Sequence, residues 1–169
     1  MSDLSIRPAA AHDLVPLQAL IQRSYRGDTS RTGWTHEADF LDGERIGLAE
    51  LEAMAADPAE RLLILWDGEE PIGSVRVAQT RGDLAYLGQL CVDPSRQADG
   101  LGRQLIAAAE AMARDDFDAR RIEMTVIEQR TELIAYYARR GYVPTGEVRP
   151  FPVAFDAPLT LVVLEKPLA

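Results

Sequence analysis

Apolar and polar positions alternate along this chain with two different periods, and the changes of period mark its elements. Ser5-Ile6-Arg7-Pro8 reads as a short opening strand. Asp13 offers a helix N-cap with Pro16 tolerated in the first turn, and Leu14, Leu17, Leu20 and Ile21 recur at helical spacing towards Tyr25. A second helix is predicted over Leu48 to Ala56, closed before Pro58. The pattern then changes. Leu62-Leu63-Ile64-Leu65-Trp66 is a continuous apolar run stopped by Asp67-Gly68, which predicts a strand buried on both faces. Ile72, Val75 and Val77 lie in a strand antiparallel to it, and after the turn Arg81-Gly82-Asp83 a third strand runs from Leu84 to Val92.

Gly100 to Phe117 predicts a long amphipathic helix. Leu101, Leu105, Ala108, Ala109 and Met112 form its apolar stripe, while Arg103, Glu110 and Arg114 fall off it. A strand over Arg121 to Ile127, a helix over Thr131 to Arg140 and a strand from Tyr142 follow. Pro150 and Pro152 mark an irregular excursion before a last strand, Leu159 to Leu164. The order β-α-α-β-β-β-α-β-α-β-β predicts an α/β domain whose mixed, mostly antiparallel sheet is flanked by helices. No linker composition or repeat interrupts it, so residues 1–169 are read as a single domain.

Composition narrows the function classes. A 47% hydrophobic, 27% charged chain of 169 residues can bury a real core, which sets disorder aside. No apolar run approaches the roughly 20 residues a membrane helix needs, and Met1-Ser2-Asp3-Leu4-Ser5 lacks the basic and apolar regions of a signal peptide. The single cysteine, Cys91, excludes an intrachain disulfide framework and fits the cytoplasm. Two histidines and one cysteine are little material for zinc, so no metal is expected. A net charge of -9 without any lysine/arginine run argues against nucleic acid. That acidity either steers in a cationic small partner or only keeps the protein in solution.

Chemistry concentrates in Leu90-Cys91-Val92-Asp93-Pro94-Ser95-Arg96-Gln97-Ala98-Asp99-Gly100-Leu101-Gly102. The segment passes from a strand end through a glycine-bearing loop into a helix start, where unpaired N–H groups and the helix dipole suit a phosphate or pyrophosphate. Gly100 and Gly102 permit close backbone approach. A Walker A loop would need Gly-Lys-Ser/Thr, and a dinucleotide fingerprint needs three spaced glycines after the first strand; neither is present.

Strand, Val-x-Pro, then Gln/Arg-x-x-Gly-x-Gly/Ala opening a long helix resembles motif A of the GNAT N-acetyltransferase superfamily. Tyr137, Gly141 and Tyr142 occupy the Tyr-x-x-x-Gly-Phe/Tyr ending of its motif B, and the element order matches the family's fold over nearly the whole chain. The resemblance implies a GNAT acyl-CoA N-acyltransferase fold that uses acetyl-CoA and releases coenzyme A. It implies that Leu90, Cys91 and Val92 end a strand splayed from Arg121–Ile127, with backbone groups that pair with pantetheine. Gln97, Ala98, Asp99, Gly100, Leu101, Gly102 and Arg103 would hold the pyrophosphate, and Tyr137 would protonate the leaving thiolate. The implied reaction is direct attack of a small-molecule or peptide primary amine in a ternary complex.

Four positions depart from the family pattern. Ala98 and Asp99 stand where many relatives have Gly and a basic residue, with Arg96 and Arg103 available to compensate. Arg130 stands where many carry Asn, and is expected to meet a cofactor phosphate. Gly88 stands where some carry a general-base Glu, so any base comes from elsewhere or through water. Cys91 has no histidine among its neighbours and reads as a small buried strand residue, not a nucleophile.

The acceptor is expected to meet the polar, irregular stretch after the first helix, through Tyr25, Arg26, Arg31, Trp34, Glu37 and Asp39. Two other readings share the fold: a non-catalytic CoA-binding or regulatory module, and an interaction protein without cofactor. A homodimer is left open. If Tyr25–Asp39 is the acceptor wall, replacing Arg26 and Arg31 with alanine raises KM for the acceptor and leaves acetyl-CoA binding nearly unchanged. Steady-state kinetics that show weakened acetyl-CoA binding instead would move this segment to the donor side.

Overall fold

The computed structural model describes residues 3–25, 46–150 and 160–168. Their elements, in chain order, are β1 (Leu4–Pro8), α1 (Leu14–Tyr25), α2 (Leu48–Ala56), β2 (Glu60–Asp67), β3 (Glu70–Arg81), β4 (Leu84–Val92), α3 (Leu101–Phe117), β5 (Arg121–Ile127), α4 (Thr131–Ala138), β6 (Val143–Pro150) and β7 (Thr160–Pro167). The seven strands form one sheet in the order β1-β2-β3-β4-β5-β7-β6. Every neighbouring pair is antiparallel except β4 and β5, which run parallel. The expected α/β architecture with a mixed, mostly antiparallel sheet is the one observed.

The sheet buries both faces, which is why β2 reads as an unbroken apolar run. Leu63 and Leu65 join the core beneath α3 and α4, whereas Leu62, Ile64 and Trp66 join the core beneath α1 and α2. On the first face α3 lays Leu101, Leu105, Ala109 and Ala113 against the central strands. On the second, Leu14, Leu17, Leu20, Ile21 and Leu51 close over β2 and β4. Each core buries several full aliphatic side chains, worth about 1.5–3 kcal/mol apiece before the entropy of ordering them.

Some local readings change. Asp13 does not cap the first helix forward. Its carboxylate accepts the Ala10 N–H at 2.8 Å and Arg7 at 2.9 Å, closing a short 3-10 turn over Ala11–Asp13 before α1 begins. Burial raises the Asp13 pKa, but the Arg7 and Ala10 hydrogen bonds outweigh it and hold the group below its ordinary value. α4 stops at Ala138 rather than Arg140, and Gly141, at φ +98°, turns the chain back. Tyr142 therefore stays in the core, and β6 starts one residue later at Val143. β6 is an edge strand with Val143 and Val148 exposed and prolines at 144 and 150. The proline-marked excursion over 151–159 lies outside the described residues.

Glu110 is the largest correction to the helix reading. It is buried on α3, where it accepts the Tyr142 hydroxyl at 2.8 Å and Lys166 at 3.0 Å. Burial first, and the Glu110 charge next, push the Tyr142 phenol far above its ordinary pKa, so it donates at any working pH. Tyr142 in turn meets the Tyr137 ring edge-on, with centroids 6.2 Å apart. Glu110→Ala strands a buried hydroxyl and a half-buried ammonium, and should cost about 2–4 kcal/mol, against about 1 kcal/mol for Tyr142→Phe. Urea unfolding of both variants checks the order; equal costs would mean that the Glu110 carboxylate is hydrated and not part of the core.

Candidate active site

The parallel pair β4–β5 is short. Its register comprises Leu84↔Arg121, Ala85↔Ile122 and Tyr86↔Glu123 and stops there, while β5 stays paired with β7 as far as Ile127↔Leu161. Beyond Tyr86 the two strands part, opening a cleft toward their carboxyl ends, the end of a parallel pair at which ligands bind. β4 is also bent there. Between Ser74↔Cys91 and Arg76↔Gly88 it carries one residue more than β3, and Gln89 takes φ +51° to absorb it. A bulge of this kind re-aims the residues after it, here Leu90 to Val92.

The side chains of those residues are committed to the two cores. Leu90 and Val92 pack on the α3 side, while Cys91 packs on the α1 side, 3.3 Å from the Ser74 hydroxyl. Only their backbone can face a ligand in the cleft. Cys91 is fully buried, as its sequence setting leads one to expect.

From Val92 the chain turns through the 3-10 segment Pro94–Asp99 into α3. Asp93 opens this turn, accepting the Ser95 N–H at 3.1 Å and its hydroxyl at 2.8 Å. Arg23 of α1 reaches Asp93 at 3.0 Å and the Pro71 carbonyl at 3.2 Å, tying the turn to the first helix. Burial raises the Asp93 pKa, and the Ser95 and Arg23 contacts more than offset it, so the carboxylate stays ionised. Gly100 follows in the left-handed region at φ +74°. A Cβ there would lie 3.3 Å from the Arg103 guanidinium, which flanks the start of α3. Leu101 and Gly102, the first residues of α3, are buried, so their contribution is also through the backbone. The side chains of Gln97, Ala98 and Asp99 lie outside the described residues. Arg96 meets Asp67, the last residue of β2, at 3.1 Å.

α4 brings Tyr137 into the core that Leu87, Leu90, Met124 and Val126 of β4 and β5 also line. Tyr137 is 5% exposed, wedged edge-on between Tyr136 (centroids 5.4 Å) and Tyr142. Burial above all, then the neighbouring Tyr136 and Tyr86, push its phenol well above 10.0, opposed by the Arg130 charge. It is a neutral proton donor. Arg130 precedes the first residue of α4, 7% exposed, with Nε 2.8 Å from Glu132. Electrostatically it acts on Tyr137, a role its position in the motif did not suggest.

Two hydroxyls absent from the sequence reading complete the site: Tyr86 Oη and Thr125 Oγ1 lie 2.9 Å apart across the point where the strands part. The available signal was Gly88, since glycine inside a strand often marks close approach by another group. Of the expected acceptor wall, Tyr25 ends α1 and its side chain lies outside the described residues, as do Arg26, Arg31, Trp34, Glu37 and Asp39.

Comparison with known proteins agrees with this geometry. The family model described as "Acetyltransferase (GNAT) family" matches residues 17–142, from α1 to the end of the Tyr137–Tyr142 segment. The chain belongs to the GNAT acetyltransferase family. Members of that family are acetyltransferases whose donor is acetyl-CoA. A mycothiol acetyltransferase of Salinispora tropica is 37% identical over 91 residues, which make up 53% of this chain and only 27% of that protein. Among solved structures, the ribosomal-protein-S18-alanine N-acetyltransferase of Escherichia coli superposes with a TM-score of 0.76 at 15% identity, covering 99% of this chain and 95% of the other. A Salmonella typhimurium protein solved with its cofactor acetyl-CoA gives 0.72 at 19% identity, covering 98% and 94%.

The donor's chemistry fits what this GNAT chain offers. A helix start with backbone N–H groups suits a pyrophosphate, and a strand edge that leaves its partner suits an amide-bearing arm. Gly100→Val places a branched side chain at φ +74° beside that helix start. Acetyl-CoA should then no longer raise Tm, although the variant remains folded by circular dichroism. An undiminished shift would place the pyrophosphate elsewhere.

Proposed function

We propose that this chain transfers the acetyl group of acetyl-CoA to a primary amine, by direct attack within a ternary complex. The observation that carries the reading is a buried, protonated phenol, Tyr137, whose proton is influenced by Tyr86, the last residue of β4 paired with β5. The donor supplies an activated acetyl carbonyl and a thiolate leaving group. The protein's task is to orient the carbonyl, exclude water and deliver one proton to sulfur as the C–N bond forms and the C–S bond breaks. The proton that the nitrogen loses on becoming an amide restores the acid, directly or through water.

Each part has a candidate. Backbone groups of Leu90 to Val92, re-aimed by the Gln89 bulge, would lie along the donor's amide-bearing arm and offer an N–H toward the developing oxyanion. The turn into α3, with Gly100 and Arg103, would take the pyrophosphate. Arg130 would act from the N-terminal side of α4. It opposes the burial that holds the Tyr137 proton, so the phenol can give that proton up when sulfur becomes basic. The amine must arrive neutral, because an ammonium has no lone pair with which to attack. The curated relative and the Escherichia coli structural neighbour are named for acetyl transfer, the latter to an alanine of a ribosomal protein, which supports an amine acceptor.

The test is release of free thiol from acetyl-CoA in the presence of a polyamine (spermidine), an amino sugar (glucosamine) and a peptide with an N-terminal alanine. Turnover of at least one is expected, and none at all would overturn the reading. Tyr137→Phe keeps the ring and loses the proton, so kcat should fall about 10²-fold while acetyl-CoA affinity holds. The raised pKa of Tyr137 keeps it protonated up to and beyond 10.0, so kcat in the parent should rise with pH as the amine deprotonates, with no descending limb below that value. A descending limb near neutrality would assign the acid to another group.

A further inference from the structure

The sheet face turned away from α3 and α4 has its own composition at the parting point. Ala85 and Leu87 point into the core beneath α3, so Tyr86 and Gly88 point the other way. Met124 and Val126 do the same on β5, leaving Thr125 on the same face as Tyr86. The Tyr86–Thr125 hydroxyl pair therefore spans the point where the strands part, on the face turned away from the core that holds Tyr137.

The lean of the Tyr86 ring is set by Gly88. A Cβ at position 88 would come within 2.7 Å of Tyr86 Cε1, so the ring lies along β4 over a volume that only glycine leaves free. The Arg76 guanidinium stands 5.7 Å from the centroid of that ring, and Glu60 grips Arg76 at 2.6 and 2.9 Å. Glu123, the register partner of Tyr86 across β5, is 5% exposed and salt-bridged to Arg149 at 3.1 Å. The two carboxylates nearest in this row thus each hold an arginine. Between them, among the described residues, the point where the strands part is bridged by the neutral hydroxyls of Tyr86 and Thr125.

That arrangement has a chemical preference. A neutral primary amine has two N–H donors and one lone pair; an oxygen that accepts one N–H leaves the lone pair directed at a carbonyl. A carboxylate in the same place would bind the ammonium better than the amine and oppose the form that reacts. Either hydroxyl can donate in the Tyr86–Thr125 pair; with the phenol proton on Thr125, the phenol oxygen accepts from the amine without that penalty.

Building on the acetyl-transfer reading, we propose that Tyr86 receives the acceptor: its hydroxyl, fixed by Thr125 and by the space at Gly88, accepts an N–H of the incoming primary amine at the mouth of the cleft. The acid and the amine-holding group then lie on opposite faces of the sheet, with the thioester between them. No proton is transferred to Tyr86; it orients the amine.

The experiment is a kinetic cycle on Tyr86→Phe, Thr125→Val, Gly88→Ala and the two double variants that contain Tyr86→Phe, using whichever of spermidine, glucosamine or the alanyl peptide the parent acetylates best. Acetyl-CoA affinity and the slow hydrolysis of acetyl-CoA without amine are measured alongside. Tyr86→Phe should raise KM for the amine about tenfold and leave both donor readouts unchanged. Gly88→Ala, which displaces the ring without touching the hydroxyl, should reproduce that rise. Neither Gly88→Ala nor Thr125→Val should add to it in the Tyr86→Phe background. An unchanged amine KM in Tyr86→Phe overturns the proposal. So does a lowered Tm with weakened acetyl-CoA binding and an unmoved amine KM, which would make the hydroxyl pair a clamp between strands. A parent that acetylates none of the three amines defeats the acetyl-transfer reading itself, whereas a parent that does so while Tyr86→Phe matches it defeats only the assignment of Tyr86.

Discussion

The rest of this structure depends on where two parallel strands stop pairing. β4 and β5 share three residue pairs, and the divergence after Tyr86↔Glu123 leaves a gap in the middle of an otherwise continuous sheet. A gap of that kind is costly, because backbone groups lose their ladder partners. It persists because each strand is fully supported on its other edge: β4 by β3 and β5 by β7 over its whole length. On one side of the sheet, residues of α3 and α4 share a single core with Met124, Val126, Leu87 and Leu90.

What lies around the gap is arranged by distance in charge as well as in space. Near the α3 start the described groups include backbone donors and Arg103, suited to an anion. Near the parting point they are hydroxyls and a buried phenol, with the nearby carboxylates in ion pairs. An anionic tail and a neutral reacting centre would thus be sorted to opposite ends of one cleft. The Arg23–Asp93 ion pair ties the anion end to α1, and α1 leads directly into the stretch expected to meet the acceptor.

Much of this was legible in the residues. The central meander and the long α3 announce themselves through period alone, and the turn into α3 through Gly100 and Gly102. What escaped were pairings between residues far apart in the chain. Glu110 looks outward on a helical wheel until Tyr142 and Lys166, 32 and 56 positions away, arrive beside it. Tyr86 and Thr125 are 39 positions apart, and Arg96 and Asp67 are 29. The bulge at Gln89 had no sequence mark, because a non-glycine residue in the left-handed region is held there by its surroundings rather than by its own preference.

The outer strand β6 bears on how the molecule behaves in a crowded solution. Unpaired strand edges are templates on which other chains can polymerise, and a seven-stranded sheet has two of them. β6 carries prolines at 144 and 150, which supply no amide donor, a bulged register against β7 between them, and the ion pair of Glu147 and Arg149 at 2.7 Å. A foreign strand laid along it would meet missing donors, an irregular repeat and charges to desolvate. The exposed Val143 and Val148 can therefore sit on the surface without making that edge a nucleus for fibril-like growth.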